Sequence, residues 1–222
     1  MPKVSKDYRE RKKQEIIAAA IAVCQAKPVY EVTLRDVVKE CGISQGSIYN
    51  YFSSIDEIFA EIVNHAYGAH QIASQVATIA TSEIAPGKKI LEILSLMGKL
   101  VDVMTTEYGT ILYELNGLYT RNPKRATQFT SKVKVSDDTN AALTTIMSII
   151  EEGTARGIFS TDIPKEHFFL LLETSAQGIT RAITFIPSPQ IIHQLYGIDE
   201  DKASAQGMME ILAHLVTSLL EA

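Results

Sequence analysis

The chain has 222 residues, 46% of them hydrophobic, with only 12 Gly and 7 Pro, a composition that suits one large or two small soluble domains and excludes a chain too polar to bury a core. Its longest unbroken apolar run, Ile16 to Cys24, is nine residues, against the ~20 that a membrane span needs. Met1-Pro-Lys-Val-Ser5 lacks the apolar core of a signal peptide, so a cytoplasmic location with no membrane partner is expected. The formal net charge is -5, unevenly spread: residues 1–52 carry nine Lys and Arg against six Asp and Glu, and residues 53–222 carry twelve against twenty.

The basic end is therefore N-terminal. Lys3, Lys6, Arg9, Arg11, Lys12 and Lys13 form a run just ahead of the first apolar pattern. Such a run belongs either to a segment that approaches phosphates or, on the plainer reading, to a solvated face. Apolar residues recur at helical spacing almost everywhere and no alternating strand pattern is sustained, which predicts an all-α fold. Breaks at Lys27-Pro28, Gly42, Ser53-Ser54, Pro86-Gly87, Gly109, Asn122-Pro123, Gly153 to Gly157, Pro187 to Pro189 and Gly197 partition it into about nine helices.

The first helix is expected from about Arg9 to Ala26, with Ile16, Ala20, Val23 and Cys24 on one face, ending at Pro28. Thr33 can then cap a second helix, with Asp36 in the reciprocal position of a capping box. Leu34, Val37, Val38 and Cys41 make its apolar stripe. Gly42 suits a left-handed turn, Ile43 plugs the angle between helices, and Ser44 can cap a third helix. Ile48 and Phe52 face the core, which leaves Gln45, Gly46, Ser47, Tyr49, Asn50 and Tyr51 on or near the surface. Ser54-Ile-Asp-Glu57 reads as a second capping box, opening a long helix that returns Ile58, Phe59, Ile62, Val63 and Ala66 to the core.

Within this stretch Gly42-Ile-Ser44-Gln-Gly46 also fits the G-x-S-x-G of a hydrolase nucleophile elbow. An elbow needs a buried strand before its Ser, whereas a capped helix precedes Ser44, and nothing supplies a sheet or an oxyanion loop. No catalytic residue is assigned and no enzyme activity is expected. Read instead as a helix that enters the major groove, the same residues have roles: Gln45 can pair with adenine, Gly46 allows close backbone approach, and the hydroxyls of Ser47, Tyr49 and Tyr51 can reach phosphates.

Thr33-Leu-Arg-Asp-Val-Val-Lys-Glu-Cys-Gly-Ile-Ser-Gln-Gly-Ser-Ile-Tyr-Asn-Tyr-Phe52, followed by Asp56-Glu57-Ile58-Phe59, resembles the N-terminal domain of the TetR family of transcriptional regulators. The resemblance runs over residues 9–63. It implies a homodimer that binds a palindromic double-stranded DNA operator, usually as a repressor, and releases it when a small-molecule effector enters the C-terminal domain. Residues 1–53 would be the helix-turn-helix domain and residues 54–222 the ligand-binding and dimerisation domain. Carried over by position, Thr33 would contact phosphate, Gln45, Gly46 and Ser47 would lie at base edges, and Tyr49 and Tyr51 would touch the backbone, with Ser44 and Asn50 in the same interface. Ser53 and Ile55 depart from the family pattern, in which many members carry lysines after the final Phe. The alternative is an all-helical small-molecule binding protein with no regulatory role on DNA.

In the acidic remainder, Met97, Met104, Tyr113, Asn116 and Tyr119 are candidates to line a small-ligand site, although each also reads as ordinary core or surface. A Glu107 or Glu114 turned inward would call for a cationic ligand or an Arg partner. Cys24 and Cys41 form no C-x-x-C and read as small buried hydrophobes. His65, His70, His167, His193 and His214 lack metal-ligand spacing, so neither a metal nor another cofactor is expected. Two late helices, about Pro164–Ile186 with Phe168 to Leu172 and about Lys202–Leu220 with Met208, Ile211, Leu212, Leu215, Val216 and Leu219, would build a four-helix interface between two subunits or an intrachain core.

Overall fold

A computed structural model describes residues 6–68, 72–134, 138–186 and 188–220. The described residues form twelve α-helices and no strand: α1 (Lys6–Ala26), α2 (Leu34–Cys41), α3 (Gln45–Ile48), α4 (Ile55–Gly68), α5 (Ile72–Thr81), α6 (Pro86–Tyr108), α7 (Ile111–Thr120), α8 (Pro123–Thr130), α9 (Asp138–Ala155), α10 (Lys165–Phe185), α11 (Pro189–Tyr196) and α12 (Ala205–Leu220). Short 3-10 turns lie at Val29–Glu31 and Glu200–Lys202. The all-α expectation holds, with more helices than the sequence breaks indicated. α8 and α9, for example, are separate although the residues between them include neither Gly nor Pro. Conversely Gly153, expected in a break, lies inside α9, where a side chain would meet the Phe159 ring at 2.3 Å, and the chain turns instead at Gly157 with φ +68°.

The chain packs as two compact units. One comprises the described residues of Met1–Ala69 with those of Tyr108–Ser136, the other those of His70–Glu107 with those of Asp137–Ala222. The expected division after residue 53 sorts the elements by role; packing sorts them differently, because α4 and α7–α8 join the first three helices. In this unit α1 buries Ile16, Ile17, Ala20, Val23 and Cys24, and α4 buries Ile58, Phe59, Ala60, Ile62 and Ala66. These are helical stripes laid against each other, since α1 packs on both α2 and α4. α7 lies against the Val29–Glu31 turn and α1, and α8 lies against α4. Burial pushes the Cys24 thiol up to about 12, and Cys41, half-buried, is shifted in the same direction for the same reason. Both thiols are free, as expected of small hydrophobes.

The other unit has one apolar core to which α5, α6, α9, α10 and α12 all contribute, including Ile90, Ile93, Leu94, Ile146, Phe168, Leu172, Met209 and Val216. α12 starts against α6: the Asp102 carboxylate accepts from the backbone N–H of Ala205 at 2.8 Å and of Gln206 at 3.0 Å. Those N–H groups have no partner within their own helix, so an acid from another helix caps them and complements the helix dipole. Ser95 donates to Glu210 at 2.7 Å beside the same crossing.

Candidate nucleic-acid interface

The turn that separates α2 from α3 is built from local chemistry. Thr33 caps α2: its hydroxyl accepts from Asp36 N, and the Asp36 carboxylate accepts from Thr33 N at 2.8 Å, completing the capping box. Gly42 ends α2 at φ 67°, ψ 19°, a left-handed conformation that a side chain would strain. Ser44 then caps α3, accepting from Ser47 N at 3.2 Å, while the two hydroxyls lie 2.7 Å apart. Beyond Ile48 the chain keeps winding, with Tyr51 N and Phe52 N each donating to Ile48 O at 2.9 Å. Ile48 and Phe52 are buried, holding the winding to the core, as their spacing predicts. Because α2 precedes Ser44 and its hydroxyl is engaged in the cap, the strand of a nucleophile elbow is absent here.

Asp36 also accepts from Lys27 Nζ at 2.7 Å. That bond, with those from Thr33, holds the Asp36 carboxyl down at about 2. A carboxyl lowered in the folded state stabilises the fold above its ordinary value of about 3.9 and stops doing so as pH falls toward the folded value. Asp36→Asn is therefore expected to cost about 1 kcal/mol near neutrality, a figure kept small because the pair is partly exposed. The gap from wild type should begin to close below about pH 4 and vanish near pH 2, as read by urea unfolding across pH. A gap that stays constant down to the lowest pH would show that the charge of Asp36 has no part in it.

Among the predicted site residues, Thr33, Ser44, Gln45, Gly46, Tyr49 and Asn50 are exposed, whereas Ser47 and Tyr51 are half-buried. Thr33, Gln45 and Tyr49 line one open groove of about 380 Å³ together with Leu34, Arg35 and Ile48. A Cβ at Gly46 would meet nothing within 4 Å, so the fold itself does not require glycine there. Arg35 was not singled out from the sequence, yet it is an exposed cation on the groove, two residues after the Thr33 cap. Its position in the first turn of a capped helix was the available signal. Arg9, from the basic run, donates to Asn50 O at 3.2 Å and so ties α1 to the end of this surface.

The first turn of α4 is held from a distance. Ser54 Oγ accepts from Glu57 N at 3.3 Å, but the Glu57 carboxylate reaches back to Ser53 N at 2.5 Å, one residue earlier than a regular capping box. Asp56 Oδ1 accepts from Arg125 through Nε at 2.8 Å and Nη2 at 2.7 Å, and from the Tyr119 hydroxyl. Tyr119 is stacked on Phe129 with ring centroids 3.8 Å apart. Burial and Asp56 both push its hydroxyl pKa upward, so it stays a proton donor.

Of the ligand candidates, Tyr119 has its hydroxyl on Asp56, and Asn116 is exposed and bonded to Thr120. Met97 and Met104 lie in one compact unit and Tyr113, Asn116 and Tyr119 in the other, so neither unit by itself gathers all five. Glu114 needs neither a cationic ligand nor an Arg, because its carboxylate accepts from Val29 N at 2.8 Å and from the Thr110 hydroxyl at 2.5 Å.

A capped helix, a left-handed glycine turn and a short second helix with exposed polar residues define the helix-turn-helix class of DNA-binding domain. Residues 16–62 match the family described as bacterial regulatory proteins, tetR family. The chain is 42% identical over 62 residues to the uncharacterized HTH-type transcriptional regulator YfiR of Bacillus subtilis, covering 28% of this chain and 30% of that protein. It is 31% identical over 88 residues to the HTH-type transcriptional regulator PksA of the same organism, covering 40% and 42%. The chain thus spans less than half the length of these relatives.

Over most of its length its fold is similar to that of the TetR-family regulator PfmR of Thermus thermophilus, with a TM-score of 0.63 at 13% identity over 93% of this chain and 99% of that one. It is also similar to FadR of the same species, a TetR-family transcriptional repressor in complex with lauroyl-CoA, with a TM-score of 0.52 at 15% identity over 94% and 95%. The match to the tetR family thus covers the N-terminal helices, residues 16–62, and the rest of the chain resembles these structures in fold. No helix among the described residues is long and apolar enough to cross a membrane.

Proposed function

We propose that this protein is a cytoplasmic transcriptional regulator that binds a palindromic DNA operator as a homodimer, acts as a repressor, and leaves the operator when a small molecule binds. The observation that carries the reading is the open groove along Thr33, Arg35, Gln45 and Tyr49, with Gly46 and Asn50 exposed beside it. Gln45 at the start of α3 has the donor and acceptor pair that matches the edge of adenine, and Gly46 lets the backbone come close. Thr33, Ser47, Tyr49 and Tyr51 act on phosphates and fix register, while Ser44 works as the cap that aims α3. Ser44 has no nucleophilic role, and the protein is not an enzyme.

Residues 1–53 read DNA in this proposal, and residues 54–222 serve effector binding and dimerisation. Leu170 on α10 and Leu215 on α12 are 57% and 60% exposed, with Phe169, Leu171 and Leu219 also exposed. α10 and α12 pack on each other, so two copies would bury these residues in a four-helix contact. A small-molecule effector is supported by the lauroyl-CoA held by FadR, and Met97 and Met104 remain candidates to touch it. The effector must bind the two states of the dimer unequally, since equal affinity shifts nothing.

Gln45→Ala is expected to weaken binding to a duplex selected from a random library by roughly 5- to 150-fold, the worth of one bidentate base contact, and to leave binding to random DNA nearly unchanged. Gly46→Ala supplies a second arm. It should keep or raise stability, because Ala favours a helix and open space surrounds the site, yet lose operator affinity. Fluorescence anisotropy with unlabelled random competitor measures both. A selection that enriches no sequence would overturn the regulator reading and leave an all-helical small-molecule binding protein.

A further inference from the structure

Residues 108–136 carry five Lys and Arg against one acid, Glu114, within a stretch of chain that is otherwise acidic. The described residues of this segment, 108–134, pack in the same compact unit as the helix-turn-helix. α8 lies against α4, and the turn after it is pinned on both sides by one side chain. Asn64 Nδ2 donates to Lys132 O at 3.2 Å, and Lys134 N donates to Asn64 Oδ1 at 2.6 Å. Lys132 Nζ adds a bond to the Glu57 carboxylate in the first turn of α4.

The outcome is an open groove of about 340 Å³ lined by Lys13, Tyr51, Glu57, Glu61, Lys132 and Lys134, among others. Its two acids do not cancel its three lysines. Glu57 is already engaged, with one oxygen on Lys132 and the other on Ser53 N. Lys13 and Lys134 form no ion pair among the described residues, which leaves two ammonium groups facing one further acid, Glu61. Tyr51 belongs to the winding that continues α3, so the groove runs on from the proposed DNA surface. A duplex seated on α3 would carry its phosphate backbone past this rim.

We infer that Lys13 and Lys134 form a second phosphate-binding rim, which grips the sugar-phosphate backbone of the same duplex that α3 reads. This rests on the DNA-binding reading above. The rim adds affinity without sequence preference, since an ammonium group on a phosphate senses no base.

The test uses the full chain with both lysines changed, Lys13→Gln with Lys134→Gln, two fluorescent duplexes (one random, one recovered by selection) and a series of salt concentrations. Both duplexes should weaken by the same factor, and the slope of log affinity on log salt should become shallower by roughly 0.9 for each lysine removed. Lys13→Arg with Lys134→Arg, which keeps the charge, should retain the wild-type slope, and far-UV circular dichroism checks that each variant is folded. Gln45→Ala run alongside should weaken only the selected duplex and leave the slope alone. If Gln45→Ala behaves so while the glutamine pair keeps wild-type affinity and slope, the rim is wrong and the DNA reading stands. Wild-type protein that binds neither duplex overturns both.

Discussion

Phe59→Ala is expected to destabilise the helix-turn-helix unit by about 3–5 kcal/mol, the usual loss when a buried aromatic is truncated and its neighbours cannot close the void. Phe59 is 1% exposed, in the middle of the buried face of α4. One turn before it lie Ser54 to Glu57, so loosening α4 also loosens the groups that hold the end of α3 near the proposed interface. Since the chain has no Trp, unfolding in urea would be followed by far-UV ellipticity, with hydrogen exchange to assign each transition to a compact unit. DNA affinity should fall only as far as the folded population falls. A loss under about 1 kcal/mol, within the range of an ordinary surface change, would show that α4 is not closely packed at this ring.

Gly98→Ala should destabilise the other unit, even though alanine is the better helix former by about 1 kcal/mol. A Cβ at this position would stand 2.5 Å from Gln206 Cα and 2.6 Å from Ala205 O. Those are backbone atoms, so no side-chain rotation relieves the clash; α12 has to shift, and its first turn would leave the Asp102 carboxylate that caps it. Overpacking of this kind costs about 1–3 kcal/mol or more, which outweighs the gain in propensity. Gly117→Ala is the matched control, because a Cβ there meets nothing within 4 Å and should leave stability unchanged or raised. Thermal unfolding of the two variants side by side decides the point: equal melting temperatures would mean that α6 and α12 do not approach as closely as the Gly98 geometry requires.

The parts of the proposed interface that were legible in the sequence are those set by groups a few residues apart. Thr33 and Asp36 share a capping box, Gly42 adopts the left-handed turn, and Ser44 caps α3, each as the residue types predict. Legibility already weakens at Ser54, where Glu57 turns to Ser53 N while its side chain also meets a lysine from far along the chain. It ends at Tyr119, whose hydroxyl bonds to Asp56, 63 residues away, a partner that no local pattern indicates. Periodicity tells which face of a helix is apolar; it does not tell which other element covers that face.

By itself, then, the sequence determined the helical class, the position and caps of the helix-turn-helix, and which of its residues point inward, because these follow from interactions within one or two turns. Only the tertiary structure decided that α7, α8 and the lysines after them belong with the first four helices, that Glu114 caps the Val29–Glu31 turn and that Asp56 is shared by Tyr119 and Arg125. The physical reason is that such partners are selected by the summed burial and hydrogen bonding of whole elements, a quantity that no local pattern carries.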